Sequence, residues 1–359
     1  MASKVEIFCL VSLGTAAALA SFPSCSHSNT ASPDSDATAS DVHPADTHAI
    51  DVTPPPPGSF CSLPGSVIWA DGGYGIIPGA PANEPDMTWL QAPPGFCAHY
   101  FATVPHPRQV RVAPGGDVFV ASPSTFTAGG SANTGLGAIV VLPDDNHDGF
   151  ADSTVTFVGS LPSVQGLLFA NSSLYFQNDQ TFQKVPFAAG DRKPSAAPAL
   201  YTTVPVQPES DHWPKVIDVA QDGTIYVSNG SGQGEVCLST RPVKGAIFRV
   251  AADGSETEVA KGFRNPIAMR CEKNHDVCLV LELELDGSGP SGGREKLVPL
   301  HQGDDWGFPC CATNATPYTG TTYQDTGKTP DCSVVPAEPT SFILGHTPFG
   351  LAFEPGAGA

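Results

Sequence analysis

Pro214–Gly230 reads PKVIDVAQDGTIYVSNG: an apolar-alternating strand, a Gln-Asp-Gly turn, and a second alternating strand. Period-2 alternation on both sides of an Asp-Gly turn is the sequence form of a β-hairpin. The same unit returns elsewhere. It stands as PRQVRVAPGGDVFVAS from Pro107, as VQGLLFANSSLYFQND from Val164 and as NPIAMRCEKNHDVCLVLEL from Asn265, and a shorter copy, PFGLAFEPGAGA, starts at Pro348. Short strands and turns recurring about every 50 residues mark a β-propeller, one four-stranded sheet per blade. No long 3.6-period apolar stripe competes with this reading. The expected fold is all-β, a β-propeller over residues 59–359. Its last blade is expected to be incomplete, because the fifth copy stops inside its hairpin.

The preceding residues have a different composition. Residues 1–24 carry one Lys, an apolar run (IFCLVSLGTAAALA) and a small-residue region ending in FPSC, the pattern of an export signal. Phe22-Pro23-Ser24-Cys25 has the form of a lipid-attachment site, so Cys25 is a candidate anchor and the membrane is expected as a partner only through it. Residues 25–58 hold five Asp, no Lys or Arg, and end in PPPPG. Such a segment cannot bury enough apolar surface to offset its ordering entropy and reads as a disordered tether. Export to the periplasm or cell surface follows. Of ten Cys, eight lie beyond Cys25, an even number suited to disulfides in an oxidising compartment. Cys271 and Cys278 flank a turn and form the clearest pair.

The chain has 17 Lys and Arg against 36 Asp and Glu, a net charge of −19. This excludes a nucleic-acid reading, which needs clustered cations. One acidic loop has metal-ligand spacing. Asp144, Asn146, Asp148 and Asp152 stand at the first, third, fifth and ninth positions of a stretch with Gly149 at the sixth, and oxygen ligands on a turning loop suit calcium.

Two further stretches carry a family resemblance: Gly262-Phe-Arg-Asn-Pro266, and the run from Gly289-Pro-Ser-Gly-Gly-Arg-Glu295 to Gly303-Asp-Asp-Trp-Gly-Phe-Pro309. Their order resembles the glucose/sorbosone dehydrogenase family, soluble sugar dehydrogenases that use pyrroloquinoline quinone (PQQ). The resemblance extends over roughly residues 94–359 and implies a β-propeller of six-bladed type. It implies a PQQ-dependent sugar or polyol dehydrogenase that passes electrons to an external acceptor. Asp211-His212 matches the family's Asp-His pair, which makes His212 the base for the sugar hydroxyl and Asp211 its orienting partner. A His near neutrality can take that proton. Lys215 stands where the family has Arg. Arg264 is implied to face the quinone carbonyl, where a fixed cation stabilises developing charge, with Asn265 beside it on the cofactor. Ile267 replaces the family's Gln. Gln165 lies in a turn implied to touch quinone or substrate. Gly289, Pro290 and Glu295 match a calcium loop, but Arg294 stands where the family has Asp. These departures, with the short last blade, leave a second reading open: a surface-tethered propeller that binds glycan or protein without catalysis. A third, a calcium-stapled scaffold, rests on the Asp144–Asp152 loop.

Overall fold

The computed structural model describes residues 4–12, 48–49, 59–124, 137–161, 163–204, 212–232, 236–240, 244–272, 277–284, 294–312, 315–318, 320–337, 340–343 and 349–353. Most of the signal and tether therefore lies outside the described residues. The chain forms two compact units. One comprises Glu6–Thr103 and Asp144–Asp152; the other comprises Val104–Pro143 and Ser153–Ala359 together with Met1–Val5. Among the described residues there is no α-helix, only a 3-10 turn at Phe60–Ser62.

The first unit holds one sheet. Its strands are β1 (Lys4–Ser12), β2 (His48–Ala49), β3 (Val67–Ala70), β4 (Gly73–Ile76) and β5 (Phe96–Pro105), in the order β1-β5-β3-β4-β2. β3 and β4 are a hairpin whose Asp71-Gly72 turn joins Ala70 directly to Gly73 across the ladder. Gly72 has φ 88°, which glycine reaches without a Cβ penalty. Trp69, Val67, Met87 and Ala98 form a small core, and Cys61–Cys97 staples β5 to the 3-10 turn.

The second unit holds four four-stranded antiparallel blades. Blade one is β6 (Gln109–Val112), β7 (Val118–Ser122), β8 (Ala138–Leu142) and β9 (Val155–Gly159). Blade two is β10 (Leu167–Ala170), β11 (Ser173–Asn178), β12 (Thr181–Pro186) and β13 (Ala199–Thr203). Blade three is β14 (Ile217–Val219), β15 (Ile225–Asn229), β16 (Ala246–Val250) and β17 (Glu256–Lys261). Blade four is β18 (Asn265–Glu272), β19 (Val277–Leu283), β20 (Arg294–Pro299) and β21 (Thr340–Ile343). Each full-length sequence repeat supplies the first two strands of one blade.

The turns explain why the register repeats. Ala113 N–H donates to Asp117 O and Gly116 N–H to Ala113 O; Ala220/Thr224/Gly223 and Ala251/Ser255/Gly254 repeat both bonds. Each turn ends on a glycine with φ between 84° and 102°. This is the three-residue hairpin loop that closes on a left-handed residue. Blades one to three each carry a bulge between their third and fourth strands, at Ile139/Val140, Phe182/Gln183 and Ile247/Phe248. Such bulges increase local twist, as a propeller blade requires.

Successive blades bury one apolar cluster at each junction. Phe119, Ile139, Phe157, Leu167, Leu174 and Phe187 lie between blades one and two. Leu168, Phe182, Tyr201, Ile217, Val227 and Val250 lie between two and three. Val216, Ile247, Phe263, Met269, Val280 and Trp306 lie between three and four. Two disulfides, Cys237–Cys310 and Cys311–Cys332, reinforce the last junction, and Cys271–Cys278 crosses the β18–β19 hairpin as expected.

The count of blades is corrected from six to five, with the sheets of both units counted. Six came from the resemblance; the full-length repeats account for only four. The fifth sheet arises from β1–β5, ahead of the first repeat. Residues 349–353, inside the shorter copy, form no strand; Leu351 O instead accepts from Arg270 Nε at 3.0 Å. Blade four already has its outer strand in β21.

Candidate functional site

Taken from Pro107, Val164, Pro214 and, one residue into the fourth copy, Pro266, the repeats read Pro107-Arg108, Val164-Gln165, Pro214-Lys215 and Pro266-Ile267. The second position of each lies within two residues of the start of an innermost strand or, in blade four, inside it. Arg108, Gln165, Lys215 and Ile267 thus occupy equivalent places on four consecutive blades. Two of them meet directly: Gln165 Nε2 donates to Ile267 O at 3.4 Å, linking blade two to blade four. Arg108 of blade one lies with Cζ 5.7 Å from the ring centre of Trp213, which precedes blade three.

His212 is buried beside this ring. Its Nδ1 lies 2.9 Å from Ser231 O and 3.1 Å from Ser231 Oγ. A carbonyl only accepts, so Nδ1 carries the proton and Nε2 carries the lone pair. That tautomer suits a base. Ser231 N–H in turn donates to Arg264 O at 2.7 Å, which ties the His support to the β18 start. Gly230 makes this packing feasible. A Cβ there would collide with the His212 side chain and stand 2.8 Å from His212 O and 3.2 Å from Asn265 Oδ1.

The segment after His212 is locked from blade two. Gln177 Nε2 donates to Trp213 O at 2.7 Å, and Lys215 N–H donates to Gln177 Oε1 at 3.0 Å. Lys215 is fully buried, and its Nζ donates to Trp213 O at 3.3 Å. Burial pulls its pKa down to about 8, with Asp179 opposing. Gln165 Oε1 and Asn265 Oδ1 are buried and lack a hydrogen-bond partner. Buried amide oxygens are nearly always satisfied, and one of these two, Asn265 Oδ1, lies across Gly230 from His212.

Arg264 is held from behind. Its N–H donates to Glu282 Oε1 at 2.5 Å and its Nη1 to Glu284 O at 2.9 Å. Lys296 Nζ lies 3.1 Å from Glu282 Oε2, 3.0 Å from Glu284 Oε2 and 3.2 Å from Trp306 O. Tyr318 OH donates to Glu284 Oε1 at 2.6 Å. Burial, opposed by Lys296, pushes the Glu282 carboxyl up to about 8. Burial acts against the Lys296 charge, but Glu282 and Glu284 outweigh it and hold its pKa above the ordinary value.

The remaining expected residues divide. Asp211, Gly289 and Pro290 lie outside the described residues. Glu295 Oε2 accepts from Glu284 N–H at 3.0 Å and joins the buried network. Arg294 is exposed and bonds to Ser341, with Nε 2.6 Å from Oγ and Nη2 3.1 Å from the backbone O. Asp144, Asn146, Asp148 and Asp152 belong to the other unit. There Asp144 accepts from Asp148 and Gly149 N–H at 3.1 Å, Asn146 Oδ1 from Asp148 N–H at 2.9 Å, Asp148 from Phe150 N–H at 2.9 Å, and Asp152 from Asp145 N–H at 2.6 Å. The buried His99 completes the fold of that loop, with Nε2 2.9 Å from Gly149 O and Nδ1 3.1 Å from Ser66 Oγ. Among the described residues no group of three or more His, Cys, Asp or Glu is arranged to hold a metal.

Sequence reasoning missed Arg108, Ser231, and the Lys296 network. Arg108 had a signal, its repeat position. Ser231 sits in a Gly-rich stretch that reads as plain loop.

Residues 82–280, more than half of the chain, match the family described as a domain of unknown function, DUF7133. The chain belongs to this family. No curated protein matches its sequence. Among solved structures, this DUF7133 protein is similar to the PQQ-bound aldose sugar dehydrogenase of Streptomyces coelicolor. The identity is 18% and the TM-score 0.43, over 64% of this chain and 67% of that one. For the PQQ domain of pyranose dehydrogenase from Coprinopsis cinerea the values are 14% and 0.45, over 58% and 55%. For a glucose dehydrogenase they are 12% and 0.47, over 67% and 72%. The likeness thus spans little more than half to under three quarters of those structures' length.

Proposed function

We propose that the chain is an exported, PQQ-dependent dehydrogenase-like propeller that oxidises a CH–OH group of a sugar or polyol. One observation carries this reading: His212, with its proton on Nδ1, packs across Gly230 from the buried, unsatisfied Asn265 Oδ1, at the point where the inner strands of blades two, three and four begin and where Gln165 Oε1 is likewise unsatisfied. The motifs Asp211-His212 and Gly262–Pro266 support it independently.

The residues present suit the quinone chemically. Lys215 and Arg264 supply cations for its carboxylates, and Gln165 Oε1 and Asn265 Oδ1 supply acceptors that the quinone's one ring N–H and the substrate's hydroxyls would satisfy. When bound, PQQ accepts the hydride that leaves the substrate carbon, and an external acceptor then reoxidises it. The protein does the rest. His212 Nε2 takes the hydroxyl proton while Ser231 O holds Nδ1–H, so the ring keeps one tautomer and one orientation. Asp211 is the expected support for the imidazolium that results. Arg264, fixed through its own N–H and Nη1 by Glu282 and Glu284, stabilises negative charge developing opposite it. No calcium step is derived, because Arg294 is turned to Ser341 and the Asp144–Asp152 oxygens cap their own backbone.

Four disulfides support export, since such bonds persist in oxidising compartments. Residues 1–24 as the signal, Cys25 as a lipid anchor and 25–58 as the tether complete the proposed placement. A second reading, a propeller that binds glycan or protein without turnover, is favoured by the Gln165–Ile267 contact, which already joins blades two and four where the family places a second Gln.

The test is reconstitution with PQQ, following the quinone spectrum as aldoses and polyols are added. Substrate-dependent reduction that falls by about two to four orders of magnitude in His212→Ala establishes the reading. A folded protein that binds PQQ without reducing it under any sugar leaves the binding propeller.

A further inference from the structure

We propose that a hollow between the turns of blades one and two is a second binding site, for a neutral pyranose, apart from the His212 cluster and independent of the quinone reading. Blade one contributes Pro114, from its β6–β7 turn; blade two contributes Asn171 and Ser172, from its β10–β11 turn, with Phe169 and Phe187. The hollow measures about 410 Å³, a size usual for small-ligand sites. Gln165 precedes β10 and Asn171 follows it, so the hollow lies a strand's length from the Gln165 end, about 13 Å at the usual rise. Its lining is fixed by the protein alone. Phe169 and Phe187 stand 4.6 Å apart between ring centres, and Phe119 meets both edge-on at 5.0 and 5.5 Å. Phe187 N–H donates to Ser172 O at 3.0 Å. Arg192 clasps Asp117, with Nε to Oδ2 at 2.8 Å and Nη2 to Oδ1 at 3.0 Å, which ties the loop after β12 to the start of β7.

The chemistry of the lining selects the ligand. None of the lining side chains is charged, and the neighbouring Asp117 and Arg192 are paired with each other. An ionic ligand would meet no counter-charge there. The polar groups that remain are an amide and a hydroxyl. Asn171 and Ser172 are exposed, and among the described residues neither side chain bonds to the protein. Each both donates and accepts. Left-handed φ angles of 48° and 52° put both residues in the tight turn that borders the hollow. A pyranose complements this pairing: its C–H face is apolar and lies flat on an aromatic ring, while its hydroxyls donate and accept at the edge. A wholly apolar ligand would desolvate the amide and the hydroxyl without replacing their bonds to water. A sugar held here leaves the His212 end of the inner strands open.

The experiment is ligand-observed saturation-transfer NMR on the whole folded chain without quinone, with thermal melting to check that each variant folds. The probes are the methyl glycosides of glucose, galactose and mannose, glucuronate, which adds a carboxylate to the ring, and toluene as an apolar control. Binding of at least one neutral glycoside, tighter than that of glucuronate, is expected. The double variant Asn171→Gly/Ser172→Gly keeps the turn, since glycine reaches left-handed φ freely, and is expected to weaken that binding about tenfold. Phe169→Leu is expected to weaken it about three- to tenfold through loss of the ring face. His212→Ala is expected to leave it unchanged. Binding lost in His212→Ala but retained in the turn variant puts the sugar at the other site and overturns the proposal. So does toluene binding in preference to every glycoside, or a wild-type chain that binds none of them. Because no quinone is present, each of these outcomes leaves the PQQ reconstitution test untouched.

Discussion

The His212 cluster of the four-bladed unit and the Asp144–Asp152 loop of the other unit are both dense in polar side chains, and they treat those side chains oppositely. In the loop each of Asp144, Asn146, Asp148 and Asp152 accepts a backbone N–H of its own turn. Around His212, Gln165 Oε1 and Asn265 Oδ1 are buried without partners, and the Lys215 ammonium is enclosed with its pKa pulled down to about 8. A polar group satisfied within its own turn is performing a structural task. One that is buried and unsatisfied costs stability, and that cost is offset only when something binds.

The largest expected effect lies behind the site. Lys296→Met leaves Glu282 and Glu284 enclosed without their cation and should destabilise by about 3–5 kcal/mol in denaturant unfolding. A loss below about 1 kcal/mol would show that the network is not the buried ion cluster described.

Next comes Lys215. Its folded pKa lies below the usual lysine value, so the unfolded chain holds the proton more tightly between about pH 8 and the ordinary lysine range. Stability should therefore rise with pH across that window. Lys215→Met should abolish the rise and stabilise the ligand-free protein at neutral pH, by on the order of 2 kcal/mol. Melting profiles against pH for both proteins decide this, and a Met variant less stable than wild type contradicts the comparison. Asn265→Leu should be neutral or stabilising, within about 1 kcal/mol, because no protein hydrogen bond to its oxygen is lost; Gln165→Leu also gives up the Nε2–Ile267 O bond and should lie within about 1 kcal/mol of wild type on either side.

The smallest effect is expected at the loop. Asp148→Ala removes one cap and should cost about 1 kcal/mol. Chelation of calcium should leave the melting temperature unmoved, since the caps already hold the turn. A rise of several degrees on adding calcium would place a cation among those oxygens and break the contrast between the two regions.

The blades were legible because strand alternation and Asp-Gly or Gly-Gly turns recur at a fixed interval. The fifth sheet carried a signal as well, Ala70-Asp71-Gly72-Gly73 between Trp69 and Tyr74, but it stands outside the repeat period and went uncounted. His212, Gln165 and Arg264 were legible as motif residues, and the structure links them through Gly230, Ser231 and Ile267. Arg108 needed the repeats to be aligned position by position. The Lys296 network was hidden by its own pattern. Leu281-Glu282-Leu283-Glu284 reads as a half-exposed strand with its carboxylates in water, yet both Glu side chains are buried while Leu283 is only partly so. The cause is a residue on the next strand: Lys296 stands directly opposite Glu282 in the β19–β20 ladder. Local alternation cannot report a cross-strand partner.

The most direct test of the central claim is the affinity of the Gln165→Leu/Asn265→Leu double variant for PQQ, measured by absorption titration beside wild type. Binding at least about tenfold weaker, in a protein that melts within a few degrees of wild type, is the expected result. Undiminished binding would show that these two oxygens face no ligand and would contradict the placement of the site.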